Sequence, residues 1–241
     1  DYEFDALENI LDPLARLFLV DPIKTTFKSG ASGFGDIGNR TVFHDNLESL
    51  ANSQAFKAIA GTARIEMLGN KAVDFLIGIA GTSDDRGLAY RYALSELNPF
   101  ALLGVSYTPK NQNGELDIYD SATDEGTLTS KWLADRAAML TRKLWFGEQN
   151  KDPVKATLDA STDTHPFQTD ASYFLDVASG YQIAQGFSPE RPPGGIHHYL
   201  FGGIHGDHLK GRGVADHLYG GSGNDALFGN GGIDYLEGGI D

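Results

Sequence analysis

The chain has 241 residues, which corresponds to one large domain or two modest ones. Its 33 acidic and 19 basic residues give a formal net charge of -14, and a field of that sign disfavours binding to nucleic acid or to anionic lipid. The absence of cysteine excludes disulfides, thiolate metal sites and cysteine nucleophiles. No stretch is apolar and long enough to span a bilayer. We therefore expect a folded acidic protein with no nucleic-acid partner and no membrane span.

The first 150 residues are predicted to form a mainly helical domain. The predicted helices cover 1–20 with a break at Pro13, 42–60, 70–80 and 84–97. Residues 29–39 are rich in glycine and serine and are predicted to be a loop. Residues 63–68 are predicted to be a strand.

The segment after Pro99 has two further predicted features. Asn113-Gly114 is a strong turn pair, so residues 105–108 and 115–119 are predicted to form a hairpin. The clearest helix covers 129–145, because four apolar residues form one stripe along it. The stripe consists of Leu133, Ala137, Leu140 and Leu144. Asp135 and Arg136 lie off this stripe and are expected to be solvated or locally paired charges.

Residues 151–200 are predicted to be an irregular connector. This interval is rich in threonine, aspartate, proline and glycine, and a short helix is expected at 171–178. The fold class is therefore α+β, with a mainly helical domain at 1–150, a connector at 151–200 and a glycine-rich region at 201–241.

The C-terminal region is a nine-residue repeat. Of the 30 glycines in the chain, 13 lie between Gly202 and Asp241. Four successive units read GGIHGDHLK, GRGVADHLY, GGSGNDALF and GNGGIDYLE, and a fifth begins with GGID and stops. One column holds Asp207, Asp216, Asp225 and Asp234, and another holds Leu209, Leu218, Leu227 and Leu236.

This pattern resembles the nonapeptide repeat of the repeats-in-toxin (RTX) family. The resemblance implies a C-terminal parallel β-roll in which two repeats make one coil, so that Asp207 pairs with Asp225 and Asp216 with Asp234. It also implies Ca²⁺ as the cofactor. Glycines permit tight turns that expose backbone carbonyls, and the aspartates add carboxylates, so the donors are the hard oxygens that calcium prefers.

The candidate calcium ligands are the turn residues of the four repeats. They are Gly202, Asp207, Gly211, Gly213, Asp216, Gly220, Ser222, Gly223, Asn224, Asp225, Gly229, Gly231 and Asp234. The third repeat fits the pattern at every position, so we expect the best site at Asp225 and the weakest at Asp207. Two alternatives are a roll whose aspartates only cap turns, and a zinc site formed by His205, His208 and His217.

The helical part is similar to the region before the repeats in large secreted RTX lipases. The similarity covers about residues 35–200 and depends on three segments in the same order: ALSELNPFALLGVSY (93–107), GELDIYD (114–120) and WLADRAAMLTRKLW (132–145). It implies a lipase-type hydrolase domain upstream. Because the last repeat is incomplete, we also expect further repeats downstream.

No catalytic residue is assigned in this chain. A lipase needs a serine in a G-x-S-x-G turn, and the segment around Ser106 lacks the second glycine. His44 and His165 are the candidate bases, and the acid pairs Asp84-Asp85 and Asp117/Asp120 are better explained as caps and loop residues. Self-cleavage at an Asp-Pro bond is not expected, because the sequence around the three such bonds (12–13, 21–22 and 152–153) lacks the calcium-binding loop that this reaction requires.

The sequence thus predicts the calcium-binding part of a secreted, toxin-like RTX exoprotein exported by type I secretion. Such a chain would fold outside the cell, where calcium neutralises its aspartates. The alternative is that the chain is, or completes, a calcium-dependent lipase or esterase.

Overall fold

The structure of the protein is a computed structural model that describes residues 63–148, 172–184 and 195–240. The chain divides into two compact units, residues 1–150 and 151–241. The helices predicted at 1–20 and 42–60 and the loop predicted at 29–39 lie outside the described residues.

The first unit combines three helices with a two-stranded sheet. Its elements in chain order are β1 (Arg64–Met67), α1 (Val73–Ala80), α2 (Asp85–Ser95), β2 (Phe100–Leu103), a 3-10 turn (Thr108–Lys110) and α3 (Ser130–Glu148). Strands β1 and β2 are antiparallel, with Arg64 opposite Leu103. The predicted helices at 70–80, 84–97 and 129–145 and the strand at 63–68 are confirmed, with ends shifted by one to three residues. The apolar stripe of α3 is buried as predicted.

The predicted hairpin around Asn113-Gly114 is wrong. Residues 105–108 and 115–119 form no strand pair; instead Thr108–Lys110 form a 3-10 turn that contains Pro109, and Gly114 adopts a left-handed φ of 81°. The Asn111 side chain holds the following loop, because its Oδ1 accepts from Leu116 N at 2.8 Å and its Nδ2 donates to Asp117 at 2.9 Å. These local bonds satisfy the groups that a hairpin ladder would have used.

Buried cations of the first unit bind backbone carbonyls. Arg136 donates to Leu94 O at 2.8 Å and to Ser95 O at 2.5 Å, and Lys143 Nζ donates to Leu97 O at 2.8 Å. Arg136 was expected to be solvated or locally paired, and this expectation is wrong. The carbonyls at the C-terminal end of α2 lack partners within the helix, and these two cations satisfy them.

The second unit consists of strands joined by turns. Its strands are β3 (Ser172–Asp176), β4 (Tyr181–Ala184), β5 (His197–Phe201), β6 (His208–Lys210), β7 (His217–Tyr219), β8 (Ala226–Phe228) and β9 (Tyr235–Glu237). One sheet has the order β4-β3-β5-β7-β9, and a second sheet pairs β6 with β8. Only the β3–β4 pair is antiparallel, and the other pairs of this unit's strands are parallel.

The connector predicted at 151–200 is partly wrong, because β3, β4 and β5 lie within it. The helix predicted at 171–178 is also wrong. Ser172, Phe174 and Asp176 alternate as buried residues along β3, which is the two-residue period of a strand paired on both sides. Pairing with β5 and β4 therefore decides the conformation of a segment whose composition suggested a loop or helix.

Candidate metal site

The strands of the repeats stack eighteen residues apart. Leu218 lies opposite Leu236 in one sheet, and Leu209 lies opposite Leu227 in the other. Leu209 and Leu218 are buried together with Leu200, and Leu227 packs against them. Leu200, Leu209 and Leu218 therefore form the apolar interior of this stack, whereas Leu236 is 48% exposed, and the turns between strands lie at the two edges.

The aspartates connect turns that are two repeats apart. The backbone N–H of Asp207 donates to Asp225 Oδ1 at 2.7 Å, and that of Asp216 donates to Asp234 Oδ1 at 3.0 Å. Both pairs are the ones that the resemblance implied. We call residues 202–207, 211–216, 220–225 and 229–234 the first, second, third and fourth turns. The first and third turns lie at one edge, and the second and fourth at the other.

The second carboxylate oxygen distinguishes the turns. In the first turn Gly203 N donates to Asp207 Oδ2 at 2.7 Å, and in the second turn Arg212 N donates to Asp216 Oδ2 at 2.5 Å. In the third turn Asp225 Oδ2 is buried and has no hydrogen-bond donor among the residues that the structure describes. A buried carboxylate oxygen without a partner is costly, so a cation or a hydrogen-bond donor beyond the described residues would stabilise this atom.

The backbone of the third turn accounts for the difference. Gly221 and Gly223 have left-handed φ values of 94° and 103°, and the fourth turn repeats this with Asn230 at 73° and Gly232 at 114°. The first two turns have His205 and Val214 at the position of Gly223, and side chains there disfavour positive φ. Because φ sets the direction of an N–H relative to the chain that follows it, the N–H of Gly221 does not reach Asp225 Oδ2.

The first glycine of the third repeat lies beneath two oxygens. A methyl group at Gly220 would collide with Asp225 Oδ2 and with the carbonyl oxygen of Gly238, which begins the next unit at the same edge. A carboxylate oxygen and a carbonyl oxygen thus approach the same glycine. This close approach requires a residue without a side chain.

The donors suit calcium better than a softer metal. Within residues 63–148, 172–184 and 195–240, no group of three or more histidine and acidic side chains is arranged to hold a metal ion. A cation at the third turn would therefore combine Asp225 with backbone carbonyls, which is the all-oxygen set that calcium accepts. The zinc site suggested for His205, His208 and His217 is not formed, since His205 and His208 are exposed and the His217 ring lies between Tyr199 and Tyr235.

The other candidate ligands have different environments. Ser222 N and Gly231 N donate at 2.8 Å to the carbonyls of Gly203 and Arg212, so they join neighbouring turns. Gly213 has no atom within 4 Å of the position of a side chain. Gly202, Gly211 and Gly229 lie against the Oδ2 atoms of Asp207, Asp216 and Asp234, and the Asn224 carbonyl faces Gly206.

The sequence prediction missed a further unit, of which the structure describes residues 195–201. Its Leu200 lies opposite Leu218 and so extends the leucine column, while the same register places His198 beside Asp216. Counting back nine residues from Asp207 and from Leu209 would have located both positions. They were missed because histidine replaces aspartate in the column.

The described side chains that were considered for catalysis form hydrogen bonds with residues close to them in sequence. Ser106 is exposed, and its Oγ lies 3.0 Å from Thr108 Oγ1. Asp84 caps α2 by accepting from Gly87 N at 2.8 Å, and Asp120 accepts from Ala122 N at 2.8 Å. Neither His44 nor His165 lies in the described residues, and the same holds for the three Asp-Pro bonds.

Comparison with known proteins supports the repeat. A family model of the RTX calcium-binding nonapeptide repeat matches residues 201–236 in four copies. Residues 201–236, which we call the tail, are four RTX calcium-binding repeats. The comparisons with curated proteins and with solved structures give no match. Within the part of the chain that the structure describes, no helix has the length and apolar character to cross a membrane.

Proposed function

We propose that this chain is the calcium-binding C-terminal part of a secreted RTX exoprotein, and that residues 201–241 form a parallel β-roll. The eighteen-residue register and the leucine interior support the roll. The observation that carries the calcium assignment is the buried Asp225 Oδ2, which has no donor among the described residues although it lies in the most regular repeat. Asp225, with carbonyls of its own and neighbouring turns, would hold the ion.

The proposed role is folding coupled to calcium. Without a cation, burying the carboxylates of neighbouring turns brings negative charges together and removes them from water, which opposes folding. Bound calcium supplies the compensating positive charge and stabilises only the folded turns. The tail would therefore remain open where calcium is scarce and close in the millimolar calcium outside the cell, which suits export by type I secretion.

The link to a lipase is a separate part of the proposal. The three segments that resemble the pre-repeat region of RTX lipases include the last three residues of α2, strand β2 and most of α3. We infer an upstream lipase-like hydrolase in the parent protein, with the present chain as its calcium-dependent stabilising part. We also propose that the parent protein carries further repeats of the same kind.

Calcium titration of the whole chain tests the central claim. Circular dichroism should gain strand signal as calcium rises from zero in EDTA to about millimolar, while helical signal from residues 63–148 stays constant. Magnesium at the same ionic strength is the control and should do little, because it gives up its water reluctantly. An equal response to both ions would refute a calcium-specific roll.

A further inference from the structure

One residue in the aspartate column is a histidine. The parallel register places His198 between Tyr173 of β3 and Asp216, which is followed by Asp234. The column therefore changes from an aromatic ring to an imidazole and then to two carboxylates. His198 marks the boundary between the apolar start of this sheet and its acidic turns.

His198 and the second turn satisfy Asp216 without an ion. The His198 N–H and its ring Nδ1 lie 2.7 and 3.0 Å from Asp216 Oδ1, and Arg212 N donates to Asp216 Oδ2 at 2.5 Å. The Asp216 side chain is fully buried and that of His198 is 5% exposed. Because an ionised carboxylate only accepts, Nδ1 carries the proton of this bond. Both Asp216 oxygens thus have donors, whereas Asp225 Oδ2 has none among the described residues.

The other side of the imidazole is closed by packing. The Tyr173 ring meets the His198 ring edge to face, with centroids 5.5 Å apart, and Tyr173 OH donates to Gln182 Oε1 at 2.9 Å. Tyr173 also packs against the buried leucines Leu200 and Leu218. The His198 ring is therefore packed against Tyr173 of β3, and Tyr173 is in turn held by β4 and the apolar interior.

We propose that His198 is a positioning residue that takes the place of a cation at Asp216. The first coil, which begins with β5, then closes onto the second repeat without calcium. Calcium binding is confined to later turns, beginning with the third. The first coil serves as a preformed end on which the calcium-dependent turns assemble. This inference rests on the proposed calcium-binding function, but its central test does not require calcium.

Amide hydrogen exchange of the whole chain provides matched probes. The His198 N–H donates to Asp216 Oδ1, and the Asp207 N–H makes the equivalent bond to Asp225 Oδ1. In EDTA, the His198 amide should exchange about 100-fold more slowly than the Asp207 amide, corrected for intrinsic rates. Saturating calcium should slow the Asp207 amide about tenfold or more and the His198 amide less than about threefold.

The outcomes separate the two claims. If the two amides exchange equally fast in EDTA and calcium slows both, the metal-free coil is refuted while calcium binding stands. If calcium slows neither amide, the proposed function fails; the coil is then supported by slow exchange at His198 in EDTA and refuted by fast exchange.

Substitutions at His198 add a readout that a purely structural role would not give. The Arg212 amide, which donates to Asp216, should lose at least about tenfold of its protection in EDTA in His198→Ala and retain it in His198→Asn, whose side-chain N–H can replace Nδ1–H. In His198→Asp protection should be lost in EDTA and regained with calcium, because two carboxylates then face each other. His205→Ala, at an exposed turn histidine, is the control. Loss of protection in His198→Asn, or in His198→Asp with calcium present, would overturn the proposal.

Discussion

The two units of this protein satisfy their buried charges in opposite ways. Four of the five buried charged residues described in the first unit are cations, and one of them, Arg91, donates to three carbonyls: Leu116 O at 2.5 Å, and Ala80 O and Thr82 O at 2.6 Å. The turns of the second unit instead bury carboxylate oxygens, and Asp225 keeps one oxygen without a donor among the described residues. Carbonyls of the first unit therefore satisfy Arg91 from within the chain, whereas Asp225 Oδ2 depends on a donor or a cation from outside the described residues.

The largest effect should follow removal of Arg91. Arg91→Met leaves three carbonyls of the first unit without their charged donor, and we expect a loss of about 3 kcal/mol or more in the free energy of unfolding of this unit. Both tryptophans, Trp132 and Trp145, lie on α3, so urea unfolding followed by tryptophan fluorescence reports on this unit. Lys131→Met, which removes a half-exposed pair with Asp135, is the control. Rescue of Arg91→Met by calcium would break the contrast between the units.

A methyl group at the start of the third repeat should have the next largest effect. Gly220→Ala forces a side chain against Asp225 Oδ2 and the Gly238 carbonyl, whereas Gly213→Ala points into open space. We expect Gly220→Ala to lower the stability of the calcium-bound tail by about 2 kcal/mol and Gly213→Ala to change it by less than about 0.5 kcal/mol. Thermal unfolding monitored through the strand signal measures both. An equal loss of stability in the two variants would contradict the close approach of the two oxygens to Gly220.

Substitution of Asp225 should lower the calcium affinity more than substitution of Asp207, which lies at the same edge. Asp225→Asn removes a charge from the oxygen that lacks a donor, so calcium binding should weaken at least tenfold, or about 1.4 kcal/mol. Asp207→Asn should cost less, because Gly203 N already satisfies Asp207 Oδ2. Isothermal titration of the two variants makes the comparison. A larger loss at Asp207 would show that the turn geometry does not predict the site.

The smallest effect is expected at Ser106. This residue is exposed, and its Oγ bonds locally to Thr108, so the first unit should show no esterase activity and Ser106→Ala should leave hydrolysis at the buffer rate. Turnover of short-chain and long-chain esters with and without calcium measures this. Calcium-dependent turnover that is lost in Ser106→Ala would favour the enzyme alternative.

The sequence predicted those features that depend on periodicity. The stripe of α3 and the columns of aspartate and leucine repeat strictly. The structure places the stripe, Leu209 and Leu218 in the interior and the aspartates at the turns. Strands β2 and β3 were not predicted, because each is short and is stabilised by pairing with a partner distant in sequence. The difference between the turns in the donors to their aspartates was only partly predictable from the sequence. Glycine content identified the third repeat, but the donors to Asp216 Oδ1 come from His198, eighteen residues away.

The eighteen-residue register makes the repeats count in pairs. Successive nonapeptides alternate between the two edges, so deletion of one unit would transfer every later turn to the opposite edge. Without residues 211–219, for example, Asp225 would follow His198 at its edge and would no longer face Asp207. Deletion of two adjacent units would instead preserve the edge of every remaining turn. The number of repeats in such an array should therefore change in steps of two wherever the partners across an edge matter.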